Sequence, residues 1–228
     1  MGEIMKILVL ADVHNKIENL SKIIGEVNEE EIDMVLCSGD FIDEYDVPQG
    51  FSITNIIDMF IQKIISLGKP TFCVPGNLDP SEIIDVFEDY DVNLQNKKKH
   101  VGGFDIIGWG GALTPFNTTF EPTEAETKKS LNQLSSTSSS DLILLLHNPP
   151  KNTKLDLVHG EHVGSSAERE FIEKAQPLLT ITAHIHESMG TDKIGKTTIF
   201  YPGPVYDGCY GLVEIKGKSV VCVKKKAT

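Results

Sequence analysis

Five short apolar runs, each followed at once by side chains that can bind a metal ion, constrain this chain more than any other feature. The runs cover residues 6–11, 34–38, 71–74, 141–146 and 178–183. Strands that carry apolar residues at consecutive rather than alternating positions are covered on both faces, as the strands of a parallel sheet are. Between the first three runs the apolar positions take helical spacing: 17, 20, 23, 24 and 27 within residues 17–32, then residues 53–67 before the break at Gly68 and Pro70. This strand and helix alternation argues for a parallel sheet with helices on its faces, and such sheets bind ligands beyond the carboxyl ends of their strands. The residues just after each run therefore matter most.

Further along, residues 104–109 read as another strand, residues 123–134 as a helix, and a second helix starts near Ser166. Residues 194–224 carry short alternating strands separated by Gly and Pro, a pattern of antiparallel hairpins, and the Ser-rich residues 134–140 read as a surface loop. With 228 residues, 40% of them hydrophobic, the chain suits one folded domain spanning residues 1–228. A formal charge of −12 disfavours non-specific binding to nucleic acid or anionic lipid. No apolar run approaches the roughly 20 residues of a membrane helix, and no secretory signal opens the chain. Cys37, Cys73, Cys209 and Cys222 are too few and scattered for a disulfide framework, so they read as reduced core residues of a cytoplasmic protein. Because the first run follows Met5, residues 1–4 read as a dispensable extension.

The clusters behind the five runs are Asp12-Val13-His14, Gly39-Asp40-Phe41-Ile42-Asp43, Gly76-Asn77-Leu78-Asp79, His147-Asn148-Pro149-Pro150 and His184-Ile185-His186. They hold four of the seven histidines. Oxygen and imidazole donors without thiolate suit manganese, iron, zinc, cobalt or nickel better than an all-oxygen calcium site. In extended backbone, residues i and i+2 point the same way, roughly 7 Å apart, so Asp12 with His14 and His184 with His186 can each converge on one site. Glycine before Asp40 and Asn77 allows a tight turn off the strand end.

In this order and spacing, the five segments resemble the pattern D-x-H, GDxxD, GNH[DE], strand-end His and GHxH of the calcineurin-like metallophosphoesterase superfamily, and look closest to its small Icc-related phosphoesterases. Tyr201-Pro202-Gly203-Pro204 also resembles a turn that many members carry after GHxH. The resemblance implies two mixed β-sheets packed as a sandwich flanked by helices. It implies two divalent cations, with manganese favoured: Asp12, His14, Asp40 and His186 on one, and Asp40, Asn77, His147 and His184 on the other. Such a centre carries a local positive charge that attracts a phosphate ester despite the acidic whole, and a hydroxide held by the cations attacks in line with the leaving group. Asp43 is expected to orient a ligand from behind. The chain departs from the pattern at Leu78, where the family has the histidine that protonates the departing oxygen. Such help is typically worth 10² to 10⁴ in rate, so its loss favours esters with good leaving groups, nucleotide-like phosphodiesters above all. Ala183 for the glycine of GHxH touches no ligand.

Outside the pattern, Asp79-Pro80-Ser81-Glu82 reads as a helix start with Asp79 as its cap, and Ser165 with Glu168 as another capping box. His162 or Ser165, at the start of that second helix, could instead contact substrate, weighed evenly against the capping box with solvated histidines. Lys97-Lys98-Lys99-His100 reads as a solvated basic turn. Residues 46–52, after the GDxxD segment, read as a connecting loop or, less simply, a specificity lid. The function expected is a phosphodiesterase acting on a small phosphate ester; the alternatives are a phosphomonoesterase and a non-catalytic scaffold with the same fold. Natural substrate and oligomeric state stay open.

Overall fold

All five apolar runs form strands, but they divide between two sheets. The computed structural model describes residues 4–27, 31–43, 47, 50–135 and 141–228. In the first sheet β1 (Ile4–Leu10), β2 (Met34–Ser38) and β3 (Thr71–Val74) run parallel, and the hairpin of β12 (Cys209–Lys216) and β13 (Ser219–Lys226) adds antiparallel to β1. In the second, β5 (Phe104–Trp109), β6 (Leu142–Leu146), β9 (Leu179–Ile181) and β11 (Thr197–Tyr201) are parallel, with β4 (Lys97–Val101) and β10 (Gly190–Ile194) antiparallel at the edges. Both sheets are therefore mixed.

The consecutive apolar positions have a direct cause. Ile7 and Val9 point into the sandwich, where they meet Ile143, Leu145 and Ile181, while Leu8 and Leu10 point out under α1 (Ile17–Glu26), α2 (Ile53–Ile65) and α3 (Ile83–Asp89). On the second sheet Ile106 faces inward, and Ile107, Leu144 and Leu146 pack below α4 (Glu124–Ser135) and α5 (Ser166–Ala175). With both faces covered, period-2 alternation disappears from the sequence. The Ser38 hydroxyl donates to the Leu146 carbonyl, joining the two sheets at the ends that carry the metal-capable clusters.

Several expectations are corrected here. α1 stops at Glu26, and Val27 is already extended at ψ 122°, because no apolar residue at 28–31 would hold another turn against the sheet. The lysine-rich segment is edge strand β4, not a turn: Gly102 and Gly103, at φ +58° and +83°, make the bend. Its side chains pair with acids, Lys97 with Glu88, Lys99 with Asp91 and His100 with Asp105, and a charged edge resists pairing with another chain. Ile4 and Met5 pair with Lys216 and Ile215 inside β1, so they are not an extension; residues 1–3 lie outside the described residues. α3 begins at Ile83 with Glu82 at its N-cap, so Asp79 does not cap it. The Ser165 hydroxyl does accept from Glu168 N (3.2 Å), but the Glu168 carboxyl turns away to Asn148, and Glu124 of α4 accepts from Ser165 Oγ and from the Ser166 and Ala167 amides instead. Of the two loop readings, residues 136–140 and 46, 48 and 49 fall outside the described residues. Among the described residues no helix is long and apolar enough to cross a membrane, and all four cysteines are free thiols.

Candidate metal centre

The ends of β1 and β2 are stitched together by backbone. Asp12 N donates to Gly39 O (3.0 Å), His14 N to Asp40 O (3.0 Å) and Asn15 N to Phe41 O (3.1 Å). To do so, Asp12, His14 and Asp40 adopt φ of +52°, +44° and +51°, a region costly for residues with a side chain and kept only where surroundings over-determine it. Two glycines permit the approach. A Cβ on Gly39 would lie 2.3 Å from Gly76 N, and one on Gly76 would lie 2.0 Å from Asp40 Oδ1.

This scaffold, with the ends of β6 and β9, brings together the seven donors Asp12, His14, Asp40, Asn77, His147, His184 and His186. Asp12, His14 and His186 form one cluster and Asp40, His147 and His184 another, the ligand atoms within each lying no more than 4.8 Å apart. Asp40 stands between them, its Oδ2 3.4 Å from His147 Nε2 and 3.8 Å from His14 Nε2. Asn77 Oδ1 is 3.3 Å from His147 Nε2, His186 Nε2 is 3.6 Å from Asp12 Oδ1, and the Nε2 atoms of His14 and His186 face each other at 3.4 Å.

The donor set fits two cations. His147 Nδ1 donates to Ser38 O at 2.7 Å, so in the neutral ring Nε2 presents a lone pair to Asp40 and Asn77. The basicities tell the same story. Burial lowers His184 to about 4, helped by His147, whereas His147 itself rises to about 9 because Asp40 outweighs its burial. Burial likewise lowers His14, while burial of His186 is outweighed by the hydrogen bond and charge of Asp12 together with the charge of Asp40, so that His186 rises. Asp40 stays below the usual carboxylate range, its burial overcome by His147. In each cluster one imidazole thus favours a positive charge and the other resists one.

Three groups that sequence reading missed hold these donors. Asp79 is buried and accepts from Phe41 N (2.8 Å), Ile42 N (3.0 Å) and Gly76 N (2.7 Å), latching the Asp40 loop to the Asn77 loop; burial, together with nearby Asp40, pushes its carboxyl up to about 7. Tyr201 donates to Asp12 Oδ2 at 2.6 Å. Tyr206 places its hydroxyl 3.2 Å from His186 Nδ1, with its ring edge-on to His14 and His186. These tyrosines flank the Pro202-Gly203-Pro204 turn, so the turn was the available signal. Asp43 lines the cavity, and its backbone exchanges hydrogen bonds with the Asn15 carboxamide. His162 lies apart from these groups: on the short strand β8 (Glu161–His162) its Nδ1 is 2.7 Å from buried Asp156 Oδ1, and it is not among the residues that line the cavity.

The cavity holds about 470 Å³. Its floor is formed by His14, Asp40, Asn77, His184 and His186, and its walls by Asp43, Leu78 and the loop residues Thr114, Phe116, Asn117, Thr118 and Thr119.

Compared with known proteins, residues 1–224 are matched by the family model described as metallophosphoesterase, calcineurin superfamily. An uncharacterized protein of Methanocaldococcus jannaschii is 33% identical over 220 residues, covering 91% of this chain and 94% of that one. An uncharacterized metallophosphoesterase of Helicobacter pylori is 29% identical over 168 residues, covering 68% of this chain and 41% of its own. In fold, the chain is similar to the crystal structure of TT1561 of Thermus thermophilus, with a TM-score of 0.75 at 18% identity over 97% of this chain and 99% of that one.

Proposed function

Because the chain belongs to the calcineurin superfamily of metallophosphoesterases, we propose that it hydrolyses a small, nucleotide-like phosphodiester. The observation that carries this reading is the pair of donor clusters meeting at Asp40 on the floor of a cavity. One cation is assigned to Asp12, His14, Asp40 and His186, the other to Asp40, Asn77, His147 and His184; oxygen and imidazole donors without thiolate suit manganese, iron, zinc, cobalt or nickel, and of these the family resemblance favours manganese. When bound, the cations supply Lewis acidity, which activates water and neutralises charge on the phosphoryl oxygens.

The residues do the rest. Asp12 and Asp40 are the two carboxylates in the set, so two divalent cations leave a net positive floor in an otherwise acidic protein. Tyr201 and the Ser38 carbonyl orient Asp12 and His147 from behind, as metal ligands generally require. Leu78 puts an apolar side chain in the cavity wall where an imidazole would protonate the leaving oxygen. Esters whose leaving group departs as a stable anion lose least from that exchange, which favours activated diesters over alkyl monoesters. A scaffold has no need to keep seven converging donors, which argues for catalysis. Free thiols fit a cytoplasmic setting.

Asp43 favours a second reading. Among the described residues it is the one carboxyl lining the cavity outside the seven donors, and a proton delivered from it would suit a monoesterase. The test is turnover by the manganese-reconstituted protein of bis(p-nitrophenyl) phosphate and p-nitrophenyl phosphate. Faster diester cleavage, lost on chelation, is expected. Faster monoester cleavage that Asp43→Asn abolishes would replace the diesterase reading, and no turnover of either would favour the scaffold.

A further inference from the structure

The loop between β5 and α4 forms one wall of the cavity and is built around a single carboxylate. Glu121 Oε1 accepts from Thr114 N (3.2 Å); Oε2 accepts from Thr114 Oγ1 (3.1 Å), Thr118 N (2.8 Å) and Thr118 Oγ1 (3.3 Å). Phe116 N donates to Thr114 Oγ1 at 3.2 Å, and Asn117 turns the chain at φ +62°. Ala112 N to Phe120 O (3.1 Å) closes the base of the loop, and Phe120 N to Asn77 O (3.4 Å) ties it to the metal-binding segment. At its tip Phe116 is 79% exposed, more than any other large hydrophobic residue described, yet it lines the same cavity as His14, Asn77 and His184. A large apolar ring held in water by a tightly hydrogen-bonded loop, at the mouth of the cavity, is surface waiting for a flat apolar partner. Leu78 adds a second apolar patch to that cavity, where the floor itself is polar.

Resting on the phosphoesterase reading, we propose that Phe116 is the stacking platform for a nucleobase carried by the phosphate compound, with the phosphate on the cation-binding floor. Thr114, Asn117 and Thr118 line the same wall and offer polar groups to a base edge. A cavity of about 470 Å³ falls in the range that holds a ligand of this size.

Calorimetry on the manganese-loaded protein tests this without turnover, using adenosine 5′-monophosphate, ribose 5-phosphate and inorganic phosphate. Base-to-aromatic stacking predicts that the wild type binds the nucleotide about 5- to 150-fold more tightly than the sugar phosphate. Phe116→Ala should abolish that gap and leave phosphate and ribose 5-phosphate binding unchanged, while Phe116→Trp should keep it or widen it. A gap that survives Phe116→Ala, or a wild type with no gap that still binds phosphate, overturns the stacking site alone. Failure of the manganese-loaded wild type to bind phosphate overturns the phosphoesterase reading and the stacking site with it. Melting curves of the exposed-loop variants, expected to match the wild type, separate loss of contact from loss of fold.

Discussion

Asp79 and Asp156 are both fully buried, and both spend their carboxylates on backbone amides: Asp79 on Phe41, Ile42 and Gly76, Asp156 on Asn152, Thr153 and Gly164. Asp156 also meets His162, whereas Asp79 has Asp40 close enough to raise its basicity. The local chemistry is the same, yet Asp156 closes a loop on itself within eight residues, while two of the bonds to Asp79 span 37 and 38 residues and fix one metal-binding segment against another. What a buried carboxylate does is thus set by which segments it joins, not by how it binds them.

That contrast can be broken experimentally. The largest effect is expected at the group that Asp79 serves: Asp40→Asn removes the carboxylate shared by both clusters, so manganese binding measured by calorimetry and hydrolysis should both fall by more than the roughly 10- to 100-fold typical of losing an outer-shell partner. Next come Asp79→Ala and Asp156→Ala. Asp79→Ala orphans three buried amides and Asp156→Ala two buried amides and the partly buried one of Asn152, at about 1–3 kcal/mol for each buried amide before relaxation, so both should lose several kcal/mol in urea titrations. Only Asp79→Ala should also cut kcat in the fraction that remains folded, by about 10- to 100-fold. Equal kcat losses in the two variants would sink the distinction.

Glu168 sharpens it from another side. It is buried like the two aspartates but has a single carboxamide contact, Asn148 Nδ2 at 3.4 Å, and burial beside Glu124 pushes its carboxyl well above its ordinary 4.5. The folded state therefore holds a proton that the unfolded chain releases, so stability is full below about pH 4.5 and declines as pH rises toward the folded value. Glu168→Gln should remove up to about 1.4 kcal/mol of that decline per pH unit, read from urea midpoints at pH 5 and pH 8. The smallest effect belongs to His162→Ala, which takes one hydrogen bond from Asp156: about 1 kcal/mol of stability and no change in kcat. A fall in kcat there would restore His162 as a substrate contact.

Much of the fold was legible because it is written locally. Residues 34–38 and 71–74 announced β2 and β3 with the observed boundaries, and the Gly before Asp40 and Asn77 marked tight turns, whose close approach at Gly39 and Gly76 only the structure shows. Asp79-Pro80-Ser81-Glu82 misled for the same reason: its residue types fit a helix cap, and nothing nearby in the chain reveals amides 37 and 38 positions away. The lysines of β4 misled because an edge strand needs few apolar residues, and its acidic partners come from the segment after β3 and from β5.

From the sequence alone came the strand and helix alternation and the five metal-capable clusters, because apolar period and side-chain chemistry are properties of neighbouring residues; which seven residues of those clusters would serve as donors came from the resemblance. The resemblance added the two mixed sheets, while the latch at Asp79, Tyr201 behind Asp12 and Phe116 at the cavity mouth were decided by tertiary structure. Each depends on contacts between segments far apart in the chain, such as Tyr201 and Asp12 at a separation of 189 residues, and leaves no periodic trace at either end.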